Sequence, residues 1–156
     1  LATDFGGDAI NLPGSIDTVV SKNVVSNAVW GIAIEGGSGN RAEKNMVNMS
    51  HHTGIAVWGG ALDTVLDKNF VSQTARDGIL VQADTTNTVL TKNEAYNNGD
   101  DGIEVASASA SLGKNLAMGN AQLGIDAVEG VTDLGGNMAA GNVDAAQCTG
   151  VTCTAP

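Results

Sequence analysis

The chain has 156 residues and a formal net charge of -10, with seven Lys and Arg against 17 Asp and Glu, 21 glycines and only 3% aromatics. That excess of acid excludes nucleic acid and anionic membrane surfaces as partners, because both are held by a surplus of Lys and Arg. No run approaches the roughly 18 apolar residues of a spanning helix, so no membrane insertion is expected. Residues 1–5 also lack the basic region and apolar core of a signal peptide, so export would require a leader ahead of residue 1.

The first apolar element is Ala9-Ile10-Asn11-Leu12. It recurs as Gly31-Ile32-Ala33-Ile34, Gly54-Ile55-Ala56-Val57, Gly78-Ile79-Leu80-Val81, Gly102-Ile103-Glu104-Val105 and Gly124-Ile125-Asp126-Ala127. Ile, Val or Leu at alternate positions, with Ala to Glu between them, describes a short strand with one buried face. Strands at one phase of a repeat stack in parallel.

Behind each strand comes an asparagine: Lys22-Asn23, Lys44-Asn45, Lys68-Asn69, Lys92-Asn93, Lys114-Asn115 and Gly136-Asn137, at intervals of 22, 24, 24, 22 and 22 residues. Three residues before them run Val20, Ala42, Leu66, Leu90, Leu112 and Leu134. Two residues after them run Val25, Val47, Val71, Ala95, Ala117 and Ala139. A period of this length marks a solenoid. Each coil has room for about three short strands and too little chain for a strand plus crossover helix. The fold class is therefore all-β, a parallel β-helix of about six coils. The asparagines are expected to take the left-handed bends between strands and to bond their equivalents in the coils above and below, about 4.8 Å away. That makes the ladder structural.

The coils occupy residues 1–142 and a tail occupies 143–156. Cys148 and Cys153 lie in the tail at a spacing wrong for a two-plus-two zinc site. A local disulfide fixing the tail over the last coil, in an oxidising compartment, is the expected reading, with two free thiols as the alternative. Because the first strand begins within about eight residues, the chain is expected to start inside a larger β-helix or to be capped there by another chain.

The pattern of Lys-Asn or Gly-Asn followed by Gly-Ile-x-Val resembles the right-handed β-helix repeat proteins of the carbohydrate-binding and sugar-hydrolase group, whose relatives include pectate lyases, polygalacturonases, alginate epimerases and NosD-type periplasmic proteins. The ending Gly135-Gly136-Asn137-Met138-Ala139-Ala140-Gly141-Asn142, with Gln147-Cys148 and Val151-Thr152-Cys153, is similar to the close of secreted bacterial members. The resemblance covers nearly the whole chain and implies a right-handed helix in an extracellular or cell-surface setting. It speaks for fold far more than for activity.

Threading the repeat aligns Val29, His52, Arg76, Asp100 and Gln122 in one column. Trp30, Thr53, Asp77, Asp101 and Leu123 form a second, and Ala33, Ala56, Leu80, Glu104 and Asp126 a third, outward one. His52, Arg76, Asp77, Asp100, Asp101 and Glu104 should thus gather in one patch, the candidate catalytic residues. A polysaccharide lyase would use Arg76 or His52 beside calcium held by Asp77, Asp101 and Glu104, the only cofactor foreseen. A glycoside hydrolase would pair Asp101 with Asp77, or Asp126 with Glu104. The Asp-Pro-His-Glu motif of alginate epimerases is missing. The competing reading is a solvated surface on which Arg76 relieves repulsion between acids.

Other features point to binding or assembly. Trp58 beside Glu35 and Gln82 is the best candidate for a sugar contact, with packing over a bend as its alternative; Trp30 and Trp58 stand at different phases of the coil. The lysine stripe, Lys68 and Lys92 included, could attract an acidic glycan while Glu43 and Asp67 screen it. Val24, Met46, Phe70, Glu94, Leu116 and Met138 form a largely apolar stripe that either faces outward, toward another subunit, or bends into the core. The reading that follows is an extracellular, polysaccharide-associated module with a repetitive acidic face. A lyase or hydrolase and a structural or filament module are the two alternatives.

Overall fold

A computed structural model describes residues 2–3 and 6–156; Leu1, Asp4 and Phe5 lie outside the described residues. Every described element is a strand, and every ladder pairing is parallel. Three sheets wind the chain into a solenoid of about six turns. Sheet I holds seven strands from Ile10–Pro13 to Cys148–Thr149, sheet II six from Val19–Ser21 to Thr132–Gly135, and sheet III eight from Ala2–Thr3 to Cys153–Thr154.

The alternation read from the sequence sets the register. Ile32 pairs with Ile55, Ile55 with Ile79, Ile79 with Ile103 and Ile103 with Ile125. These side chains, together with Ile34, Val57, Leu66, Leu90 and Leu112, are fully buried in one continuous core. Burying each contributes about 1.5–3 kcal/mol against exposure. The leading glycines are required by close approach: a Cβ on Gly31, Gly54, Gly78 or Gly102 would come within 2.5–2.7 Å of the carbonyl oxygen of the equivalent glycine in the next coil.

The ladder forms as expected, but the bend falls elsewhere. The residues in the left-handed region are the lysines, with φ of 55–58° at Lys22, Lys44, Lys68, Lys92 and Lys114, and Gly136 at 73°. The ladder asparagines do not adopt positive φ because their side chains turn inward. Each Nδ2 of Asn45, Asn69, Asn93 and Asn115 donates to the next asparagine's Oδ1 at 2.9–3.1 Å and to a carbonyl of the preceding coil. Each of their Oδ1 atoms also accepts the backbone N–H of the asparagine before it. Every polar atom of these amides is thereby paired inside the core.

A second ladder, which the sequence reading missed, runs five residues later. Thr74, Asn98, Asn120 and Asn142 repeat the same bonding, and Gln147 Oε1 closes it. Its bends fall on the preceding residues, Gln73, Asn97, Gly119 and Gly141. The signal was present in the spacing, since Asn98, Asn120 and Asn142 follow Asn93, Asn115 and Asn137 by a constant offset.

Two further expectations change. Leu134 leaves the core column, because a register shift opposite Leu112/Gly113 turns it out to 53% exposure. The stripe after the ladder faces outward rather than bending into the core: Val24 and Met46 are exposed, while Phe70, Leu116 and Met138 are half-buried. Phe70 stacks on Tyr96 with ring centroids 5.4 Å apart.

In the tail, Cys148 and Cys153 are joined in a disulfide with a Cα–Cα distance of 6.2 Å, so they are not free thiols. Cys148–Thr149 pairs with Ile125–Ala127 in sheet I, and Cys153–Thr154 with Asn137–Ala140 in sheet III. The tail thus adds a short rung to two sheets while bypassing sheet II.

Ladder and bend residues should respond oppositely to substitution. Asn93→Ala strips partners from buried amides on both sides and is expected to cost about 2–4 kcal/mol. Lys92→Gly relieves a left-handed residue, whose penalty is about 1–2 kcal/mol, and should leave stability equal or higher. Urea midpoints of the two variants check both statements.

Candidate functional site

Sheet I carries the candidate site because its outward column changes character along the stack. Ala33 and Ala56, expected to face outward, are small and fully buried, whereas Leu80, Glu104 and Asp126, in register above them, are larger and half-buried. An open cavity of about 530 Å³ lies over this change, lined by His52, Arg76, Asp77, Leu80, Gln82, Asp84, Asp100 and Glu104 among others. Five of the six expected patch residues therefore line it; Asp101 does not, but lies beside Asp77 and Glu104.

Its parts are not equivalent. Asp77 and Asp101 are buried, and each accepts a backbone N–H from the following coil: Asp101 N–H donates to Asp77 Oδ1 at 3.4 Å and Leu123 N–H to Asp101 Oδ1 at 2.7 Å. They are thus a short carboxylate counterpart of the asparagine ladders. One carboxylate oxygen each from Asp77, Asp101 and Glu104 lie within 4.8 Å of one another, the three expected to hold calcium. Asp100 accepts a hydrogen bond from Gln122, and Asp84 Oδ2 accepts one from Gly60 N–H at 3.1 Å. Arg76 is exposed and makes no ion pair among the described residues; its charge acts at longer range, opposing the rise of Asp77.

Burial with like charges nearby raises the carboxyls. Desolvation, followed by the Asp126, Asp100 and Asp77 charges, pushes Asp101 up to about 6 against the pull of the Leu123 N–H. Desolvation and the charges of Asp77, Asp101, Asp126 and Asp100 push Glu104 up to about 6 as well. Asp77 is raised by burial and by Asp100. His52 is lowered by burial and then by Arg76, which keeps its ring neutral at pH 7. Two carboxyls that exchange protons near neutrality can act as general acid or base, and three together can ligate a cation.

The aromatic residues converge more than their phases suggested. Trp30 stacks on His52 with ring centroids 4.2 Å apart and meets Trp58 at 5.0 Å. They meet because Trp30 precedes one sheet I strand while Trp58 ends the strand stacked on it, with small Ala33 and Ala56 between. Trp58 pairs in register with Glu35, and Gln82 follows in the next coil, where its N–H donates to Val57 O. Lys68 and Lys92 are not brought here; they sit at the corner between sheets II and III, where Lys68 pairs with Asp67 at 3.1 Å. Asp67 screens the stripe as expected, its carboxyl held low against desolvation by Thr91 and by the Lys68 and Lys92 charges, while Glu43 pairs with Arg41.

The sequence matches the model of the right handed beta helix region across residues 2–143. The chain belongs to this right-handed β-helix family. No curated protein is matched in sequence. Among solved structures, a point mutant of the periplasmic alginate epimerase AlgG is similar over 94% of this chain and 42% of its own, at 17% identity and a TM-score of 0.71. A double mutant of AlgG gives 92% and 44% coverage with a TM-score of 0.66, and AlgG itself 94% and 41% with 0.58, both also at 17% identity. This β-helix chain thus spans less than half the length of those structures, and at such identity the likeness is one of fold.

The raised carboxyls fix the sign of a pH effect. A folded-state pKa of about 6 at Asp101 and Glu104, above their ordinary carboxyl values, gives stability that is present at low pH and lost as pH rises through about 6. Asp133 acts oppositely: the N–H groups of Thr152 and Gly135 hold it low, so its contribution is lost as pH falls below the usual carboxylate range. His52, whose pKa is lowered, opposes Asp101 and Glu104 over the same window, because its contribution is lost as pH falls through its ordinary value. With two carboxyls pushed up to about 6 against one histidine, the melting temperature should rise on acidification from pH 7 to pH 5 and fall in stronger acid. Glu104→Gln should flatten the first slope.

Proposed function

We propose that this β-helix is a polysaccharide-associated module working outside the cytoplasm, at the cell surface or beyond it, and that the glycan lies on sheet I. The observation that carries the reading is the cluster of Trp30, His52 and Trp58 beside a cavity whose apolar wall is dotted with the charged groups of Arg76, Asp77, Asp84, Asp100 and Glu104. A sugar ring offers an apolar C–H face and a rim of hydroxyls, and a site for it combines aromatic faces with convergent polar groups. The disulfide supports an oxidising compartment. The fold shared with a periplasmic alginate epimerase supports a link to polysaccharide.

Catalysis is the second reading, favoured by one observation: Asp101 and Glu104 lie close together and are both raised to about 6. A lyase would add Arg76 to neutralise a sugar carboxylate; a hydrolase would use the two carboxyls as acid and base or nucleophile. Calcium, when bound, would take oxygens from Asp77, Asp101 and Glu104. Those three single oxygens fill at most half of the roughly six to eight positions it uses, leaving places for water or sugar hydroxyls.

Affinity electrophoresis through gels containing neutral or charged polysaccharides, with calcium or with chelator, tests the binding reading. Retention in at least one gel, reduced on the order of tenfold in affinity by Trp58→Ala, is expected. Migration unaltered in every gel would contradict it. New reducing or unsaturated ends that disappear in Asp101→Ala or Arg76→Ala would establish the enzyme instead.

A further inference from the structure

We propose that the polysaccharide taken by this face is one bearing free amino groups, such as a polymer of glucosamine. The inference rests on the glycan reading above and gives its ligand a charge. Around the cavity, Asp77, Asp84, Asp100 and Glu104 face one guanidinium, that of Arg76, while His52 is neutral at pH 7. Asp101 lies beside Asp77 and Glu104, and Asp126 follows Glu104 in the next coil. The chain's net charge of -10 adds the same sign at longer range.

A uronate polymer brings a carboxylate on every ring into that field, and the lysines that would welcome it sit at another corner of the coil. An amine-bearing polymer brings the opposite charge. Acidic residues alone would be a solvated surface; the aromatic cluster at the cavity's edge makes this one a site. Trp30 is stacked on His52, which leaves the half-buried Trp58 to present an aromatic face that attracts both the C–H face of a sugar and an adjacent ammonium. Carboxylate oxygens within 4.8 Å of one another let one ammonium, with its three N–H donors, bond two of them. A cavity of about 530 Å³ falls within the size range of small-ligand clefts.

Calorimetric titration of the whole chain with a glucosamine hexamer, its fully N-acetylated counterpart, a galacturonate hexamer and spermine tests this at low and high salt. The glucosamine hexamer is expected to bind on the order of tenfold tighter than the acetylated one, with affinity that falls as salt rises. Asp84→Asn and Glu104→Gln should each weaken the glucosamine hexamer and leave the acetylated one unchanged, whereas Trp58→Ala should weaken both. Equal affinity for the two, or preference for galacturonate, would overturn the amine inference and leave the glycan reading standing. Spermine binding as tightly as the glucosamine hexamer would overturn it too, reducing the effect to attraction of any polycation. No sugar bound at all would overturn both.

Discussion

Side-chain amides stacked inside the coil are the constraint on which this molecule depends. A parallel β-helix wound from three-residue strands must turn sharply three times per coil, and each turn leaves backbone groups that no sheet satisfies. The asparagine ladders satisfy them from within, each amide bonding the equivalent amide and a carbonyl of another coil. An unpaired amide group in such a core costs about twice what a paired one contributes. A slip of one residue would orphan every rung together, so the ladders lock the register of all three sheets.

That lock also builds the site. His52, Arg76 and Asp100 lie a coil apart in sequence and meet only because the period is held; so do Asp77 and Asp101. The two aspartates borrow the ladder's logic, each accepting a backbone N–H from the coil above. Carboxylates in place of amides are costly to bury, and neighbouring like charges add to that cost: Asp77 is raised, and Asp101 and the adjoining Glu104 are pushed up to about 6. The cost of burying charge is thus concentrated at the point where the repeat departs from its own neutral pattern.

The sequence made the architecture legible because a solenoid repeats its instructions. Six in-phase strands, five opened by Gly-Ile and the first by Ala-Ile, and six asparagines at near-equal spacing leave little freedom, and the columns of His52, Asp77 and Glu104 follow by counting. What counting could not supply is the direction of side chains at bends. Lysine, not asparagine, takes the left-handed backbone, since the asparagine side chain is needed inside. Trp30 and Trp58 converge because long side chains reach along a face lined by alanines, a matter of reach rather than phase. Leu134 escapes its column through a bulge that no periodicity announces. The second ladder was visible in Asn98, Asn120 and Asn142 but began with Thr74, and the change of residue hid the series.

The claim that coils stack in this register is tested most directly by the two tryptophans, the only ones in the chain. Their ring centroids are 5.0 Å apart although 28 positions separate Trp30 from Trp58 in sequence. The account predicts an exciton couplet in the circular dichroism spectrum that vanishes completely and equally in Trp30→Phe and in Trp58→Phe. A wild-type spectrum equal to the sum of two independent tryptophans would contradict the register, and with it the surface built on sheet I.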